Sequence, residues 1–230
     1  MKKLIKKLLP QLFIDPYREA RLQKTFTNIY LNNGWLGDES VSGPGSSMDR
    51  TAVIREKLPG ILRKYEIKTL LDIPCGDFNW FRSLDLEDIQ YTGADIVVPL
   101  IRKNAQQYQK DNIHFRVLNI IKDPLPEVDM IFCRDCLVHL SNQNVSRALN
   151  NIIRSRSKWL LTTSFIDRSS NEDIVNGSWR PLNLQASPFN LPPALEMIME
   201  ECKADGGNYT DKSLSLWESK GLGRHEDLSF

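Results

Sequence analysis

The chain has 230 residues, 41% of them hydrophobic and 26% charged, which suits one globular domain with a full core and excludes a disordered or fibrous chain. Thirty basic against twenty-nine acidic side chains leave a formal charge of +1, so no chain-wide field draws in nucleic acid or an anionic surface. The four cysteines (Cys75, Cys133, Cys136, Cys202) are too sparse for the disulfide framework of a small secreted domain, and no apolar run reaches the roughly 18 residues of a membrane span.

Residues 1–10 alternate lysine with leucine and isoleucine and stop at Pro10, the pattern of a short basic amphipathic helix. Its expected place is either packed on the domain or in peripheral contact with a membrane surface; the opening is too short and lysine-rich for a secretory signal, and the expected compartment is the cytoplasm. A second helix is expected over 16–30, then a loop rich in Gly, Ser and Pro up to residue 47. From there the chain alternates: helix 48–65, strand 69–73, helix 80–83, strand 90–95, helix 99–109, strands 114–118 and 128–133, helix 143–154 and strand 159–163. A Pro-rich segment, a helix over 193–203 and a last strand over 213–217 complete it. Strands that read as apolar runs between helices predict an α/β, mostly parallel, doubly wound sheet, with residues 1–47 as an N-terminal helical and loop extension and 48–230 as the main domain.

In such sheets the ligand lies beyond the carboxyl ends of the strands. The first strand runs into Asp72-Ile-Pro74-Cys75-Gly76-Asp77, where Gly76 permits close backbone approach between two acids. The second ends at Asp95, nineteen residues past Gly76, the separation at which a carboxylate reaches ribose hydroxyls. After the third come Asn119, whose amide suits the amino edge of adenine, and Ile120, an apolar wall for its ring. Three consecutive strand ends thus suit one adenosine ligand.

With these residues in place, the chain resembles the Rossmann-like class I S-adenosylmethionine-dependent methyltransferases over roughly residues 70–163. The resemblance implies S-adenosylmethionine as cofactor, contacted by Asp72, Pro74, Cys75, Gly76, Asp77, Asp95, Ile96, Asn119, Ile120 and Arg134. Pro74 and Phe78 stand where that family usually has glycines, so a tighter and bulkier turn is expected. The run Glu39-Ser-Val-Ser-Gly-Pro-Gly-Ser46, with Arg180-Pro-Leu-Asn-Leu further on, is similar to a bacterial subgroup associated with surface-polysaccharide modification. That likeness implies O-methylation of a small polar acceptor, such as a sugar, nucleotide sugar or other saccharide precursor.

Methyl transfer to a hydroxyl requires alignment and a base. Asp135 and His139, four residues apart after the fourth strand, share a face if a helix begins at Asp135, and are the catalytic candidates. Both also have a structural reading, His139 as a residue packed beside the cofactor and Asp135 as a cap. Trp179, Arg180 and Asn183, in a long segment after the fifth strand, are candidates for acceptor binding, Trp179 as a stacking face. The loop Gly43-Pro-Gly-Ser-Ser47 with Trp35 is placed to close over the cofactor; lacking Gly-Lys-Ser/Thr, it is no phosphate loop. Cys133-x-x-Cys136 reads as core thiols, with no metal site expected, and Arg147, Arg154, Arg156 and Lys158 as a solvated helix end, with no nucleic acid expected. Two other functions stay open: a nicotinamide-dependent oxidoreductase, which would show Gly-x-Gly-x-x-Gly at the first turn, and a non-catalytic cofactor-binding scaffold.

Overall fold

The computed structural model describes residues 16–202 and 204–223, so the basic segment 1–10 and its expected membrane contact lie outside the described residues. Seven strands form one sheet in the order β3-β2-β1-β4-β5-β7-β6: β1 Thr69–Asp72, β2 Gln90–Asp95, β3 Ile113–Val117, β4 Met130–Cys133, β5 Trp159–Phe165, β6 Glu196–Met199 and β7 Lys212–Glu218. Strands β1 to β5 pair in parallel, with Leu70 opposite Tyr91 on one side and Met130 on the other. β7 runs antiparallel to both β5 and β6.

Successive side chains of the central strands enter opposite cores, which is why these strands read as unbroken apolar runs. Leu71, Ile131, Cys133 and Leu160 pack on one face with Val145, Leu149 and Ile152. Leu70, Met130, Phe132 and Leu161 pack on the other with Ile54, Leu58 and a group of aromatic rings. The helices that cover these faces are α1 (Pro16–Leu31), α2 (Ala52–Lys64), α3 (Val98–Tyr108) and α4 (Asn142–Ser155). In α4, Val145, Ala148, Leu149 and Ile152 recur at helical spacing and are wholly buried, while the Ser141 hydroxyl caps the amino end by accepting from the Asn144 N–H.

The main departure from expectation is the segment 193–203, which is not a helix. Glu196–Met199 forms the edge strand β6, with Ile198 buried while Leu195 and Met197 are exposed. The helix-forming Ala, Leu, Glu and Met residues there yield to pairing with β7, tertiary context overriding propensity. The helix expected at 80–83 is a single 3₁₀ turn, Phe81–Ser83. No helix begins at Asp135, which has a left-handed backbone (φ 51°); a 3₁₀ turn at Leu137–His139 follows, and α4 starts only at Asn142. Among the described residues no helix is long and apolar enough to cross a membrane.

Candidate active site

A cavity of about 370 Å³ opens at the carboxyl ends of β1, β2 and β4 and is bordered by Asp72, Pro74, Cys75, Gly76, Asp77, Asp95, Ile96, Asn119, Ile120, Arg134, Asp135, His139 and Trp179. One sheet end therefore gathers every proposed site residue except Arg180 and Asn183.

At the first turn the Ile73 N–H donates to the Phe132 carbonyl and the Cys75 N–H to the Ala94 carbonyl, so the chain stays bonded to both neighbouring strands as it leaves β1. Gly76 has φ 53°, and a Cβ there would lie 2.2 Å from the Ser42 hydroxyl, so a larger residue would be strained and would displace Ser42. The buried Asn104 of α3 braces the turn by donating to the Gly76 carbonyl at 2.7 Å. The bulky Phe78 does not narrow the cavity: with φ 59° it turns into the core among Phe81, Tyr91, Tyr108 and Phe115. The extra side chain where glycine was expected is thus absorbed by packing.

Asp72 is buried and accepts from the Tyr91 hydroxyl at 2.6 Å; burial pushes its carboxyl up to about 8, against the opposing effect of that bond. Asp95 is buried too, and burial raises it to about 6 although the Val97, Gly76 and Ile96 N–H groups favour its charged form. Two carboxyls held at this cost beside a cavity fit a ligand that brings hydroxyl donors and a cation. Asn119 Oδ1 accepts from the Ile121 N–H, which fixes the side chain at the cavity wall next to Ile120.

Asp77 borders the cavity and also holds the loop above it. One carboxylate oxygen accepts from the Ser40 hydroxyl at 2.9 Å, the other from the Val41 N–H at 3.0 Å, and the Asp77 N–H donates to the Ser42 hydroxyl. Glu39 accepts from Asn79 and from the Met48 N–H. These bonds clamp the 39–48 loop over the first turn, where Trp35, Gly43, Pro44, Gly45 and Ser46 also line the cavity.

On the opposite side, four charges form a closed ring. The Arg134 guanidinium lies 2.7 Å from Glu200 and 3.3 Å from Asp135, and the Lys212 ammonium 2.7 Å from Asp135 and 3.2 Å from Glu200. Arg134, Glu200 and Lys212 are buried, so each charge is compensated inside the protein. Burial acts to raise the Asp135 carboxyl, but Lys212 and Arg134 hold it well below the usual carboxylate range. Arg134 therefore borders the cavity with its guanidinium engaged by carboxylates.

His139 stacks on Trp35 with ring centroids 4.3 Å apart, and its Nδ1 is 2.8 Å from the Ser178 carbonyl oxygen. A carbonyl only accepts, so Nδ1 carries the proton, and in the neutral ring Nε2 keeps its lone pair. Burial lowers the His139 pKa below its ordinary value, against the opposing pull of the Ser178 carbonyl and Asp135, so the neutral form dominates at pH 7.

Arg180 and Asn183 do not reach the cavity. Arg180 is buried and donates to the carbonyls of Leu137, Val138, Leu140 and Glu172 and to the Asn142 side chain, which fixes the 137–142 turn. Asn183 donates to the Ile166 and Arg168 carbonyls. Their donors are spent on backbone, so the structure corrects their assignment as acceptor ligands. Trp179 keeps its place at the cavity and is 40% exposed. Sequence reasoning missed Lys212, Glu200 and Asn104. Cys133 is buried and Cys136 partly so, both as free thiols.

Residues 70–157 match the family model described as a methyltransferase domain. Among solved structures, the chain is similar to magnesium protoporphyrin IX methyltransferase from Synechocystis with bound S-adenosylhomocysteine, at 9% identity and TM-score 0.53, covering 86% of this chain and 98% of that one. It is also similar to human N-acetylserotonin methyltransferase in complex with S-adenosylmethionine, at 12% identity and TM-score 0.51, covering 83% of this chain and 65% of that one. A third likeness is to phosphoethanolamine N-methyltransferase 1 from Haemonchus contortus, at 16% identity and TM-score 0.51, covering 68% of this chain and 35% of that one. The chain thus spans less than two thirds of the length of the last two proteins. A search of curated proteins finds no match.

The strand order and the likeness to these structures show a Rossmann-like methyltransferase fold, with the methyltransferase-domain match confined to residues 70–157. Two of these similar structures hold S-adenosylhomocysteine or S-adenosylmethionine.

Proposed function

We propose that the protein is an S-adenosylmethionine-dependent O-methyltransferase acting on a small polar acceptor, a sugar or saccharide precursor of the kind used in bacterial surface polysaccharides. The observation that carries this reading is the presence of a neutral His139, Nδ1 protonated, in the same cavity as Asp72, Gly76, Asp95 and Asn119. The cofactor supplies an electrophilic methyl carbon on a sulfonium. Asp95 would hold the ribose hydroxyls, Asn119 and Ile120 the adenine, and Asp72 with the Gly76 turn the cationic amino acid end. His139 Nε2 takes the proton from the acceptor hydroxyl, and Asp135, kept ionised by Lys212 and Arg134, accepts a hydrogen bond from the acceptor. Within the extension of residues 1–47, the described part from Leu22 to Ser46 that lines the cavity would close over a catalytic domain of residues 48–230.

The test is methyl transfer from labelled S-adenosylmethionine to a panel of saccharide alcohols and matching amines. The reading expects transfer to an alcohol that His139→Ala slows without weakening cofactor binding. Transfer to amines alone refutes the O-methyl assignment.

A further inference from the structure

Next to the cofactor cavity lies a second, more open cavity of about 400 Å³, walled by Phe165, Trp179, Cys202, Tyr209 and Lys212 under the Gly45 loop. Gly45, Trp179 and Lys212 line both cavities, so the two share a seam. The rings of Phe165, Trp179 and Tyr209 meet nearly at right angles, with centroids 5.0 Å apart for Trp179 and Tyr209 and 6.0 Å for the other two pairs. This packing fixes the Trp179 ring while leaving it 40% exposed.

The seam itself is polar. Asp135, which lines the first cavity and bonds the seam residue Lys212 through Oδ2, has a side chain 27% exposed, and its Oδ1 has a long contact of 3.4 Å from the Thr163 hydroxyl. A Cβ placed on Gly45 would be in van der Waals contact with Asp135 Oδ2 at 3.5 Å, so the loop passes directly over the carboxylate with only a methyl-sized gap between them. The four charges Arg134, Asp135, Glu200 and Lys212 sum to zero. Lys212 is the charged residue lining the second cavity, and its ammonium already bridges Asp135 and Glu200. Arg168, over the Tyr209 ring, is bonded through two nitrogens to Asp211. Among the described residues around this cavity, each of these cations has its carboxylate partner.

We infer that the second cavity is the acceptor subsite and that it takes an uncharged polyhydroxylated ring, a pyranoside, with its apolar face on Trp179 and hydroxyls on Asp135 at the seam. The inference rests on the methyltransferase reading and adds where the acceptor ring sits and that it carries no charge. A ring with one apolar face and a rim of hydroxyls matches a fixed indole beside a carboxylate that still has acceptor capacity. An anionic acceptor would have to be desolvated where the local cations are already neutralised. A flat apolar ring would take water from Asp135 and return too few donors.

The experiment is calorimetric titration of the full chain, saturated with S-adenosylhomocysteine, with methyl pyranosides, the matching nucleoside-diphosphate sugars and simple phenols. The expected result is saturable binding of a methyl pyranoside, weakened about tenfold by Trp179→Ala and by Tyr209→Ala. Tyr209 lies outside the cofactor cavity, so its variant should hold S-adenosylhomocysteine as before and thereby report the acceptor side alone. The inference is overturned by any of three results: no pyranoside binding to protein that holds S-adenosylhomocysteine, pyranoside affinity unmoved in both variants, or a nucleotide sugar or phenol binding more than about tenfold tighter than the pyranosides. Failure of S-adenosylhomocysteine itself to bind overturns the underlying methyltransferase reading instead.

Discussion

The two sides of the main cavity are built differently. The side proposed for the cofactor is assembled from the ends of three neighbouring parallel strands, each giving one residue at a fixed place: Asp72 as the last residue of β1, Asp95 as the last of β2, Asn119 just past β3. The side proposed for the acceptor draws on distant segments: Asp135 after β4, Trp179 in the long connection, Glu200 after β6 and Lys212 at the start of β7. Strand order alone creates the first, whereas the second exists only once the antiparallel β6–β7 pair is in place. The Glu200 N–H donates to the Lys212 carbonyl across that pair, which brings the two side chains into the charge ring.

Mutations on the two sides should therefore separate cleanly. The largest effect is expected on the acceptor side: His139→Ala should lower the methyl-transfer rate about 10²- to 10⁴-fold with an unchanged dissociation constant for S-adenosylhomocysteine. Equal losses in both would make His139 a packing residue. Because burial depresses the folded-state pKa of His139, the wild-type rate should fall on the acid side, at a pH lower than that at which a free imidazole takes up its proton. Next, Glu200→Ala removes the bidentate partner of the buried Arg134 and should cost about 3 kcal/mol in denaturant unfolding, a loss the replacement of an exposed carboxylate such as Asp38 would not produce. On the cofactor side, Asp95→Ala should weaken S-adenosylhomocysteine binding about 10- to 100-fold, measured by calorimetry.

The smallest expected signal is a proton. With Asp72 raised to about 8, the free protein carries a proton there at pH 7. Pairing with the ligand's ammonium favours the charged form, so binding should release somewhat less than one proton per site, and Asp72→Asn should abolish the release. Titration in buffers of different ionisation enthalpy measures it.

The same contrast explains what the sequence made legible. Apolar runs separated by helices at ordinary loop lengths define five parallel strands, and Gly76 with Asp95 follows from local spacing. Segment 196–199 was read as helical because its residues favour helix, and its strand state depends on β7, a partner more than a dozen residues away. With β6 misread, nothing pointed to Glu200 meeting Lys212. Arg180 reads from the sequence either as a ligand, because it falls in a long irregular segment after the fifth strand, or as a structural residue paired with a nearby acid; only the fold reveals the five backbone and side-chain acceptors that hold it. Phe78 likewise suggested a crowded turn, and only its left-handed backbone and the four rings around it show where the bulk goes.

The most direct measurement is calorimetric titration of the purified chain with S-adenosylmethionine and S-adenosylhomocysteine, with a nicotinamide dinucleotide as control. Binding of the first two at one site per chain with micromolar affinity, and none of the dinucleotide, is the predicted result. Binding of neither, or preference for the dinucleotide, would contradict the assignment of Asp72, Gly76, Asp95 and Asn119 as a site for this cofactor.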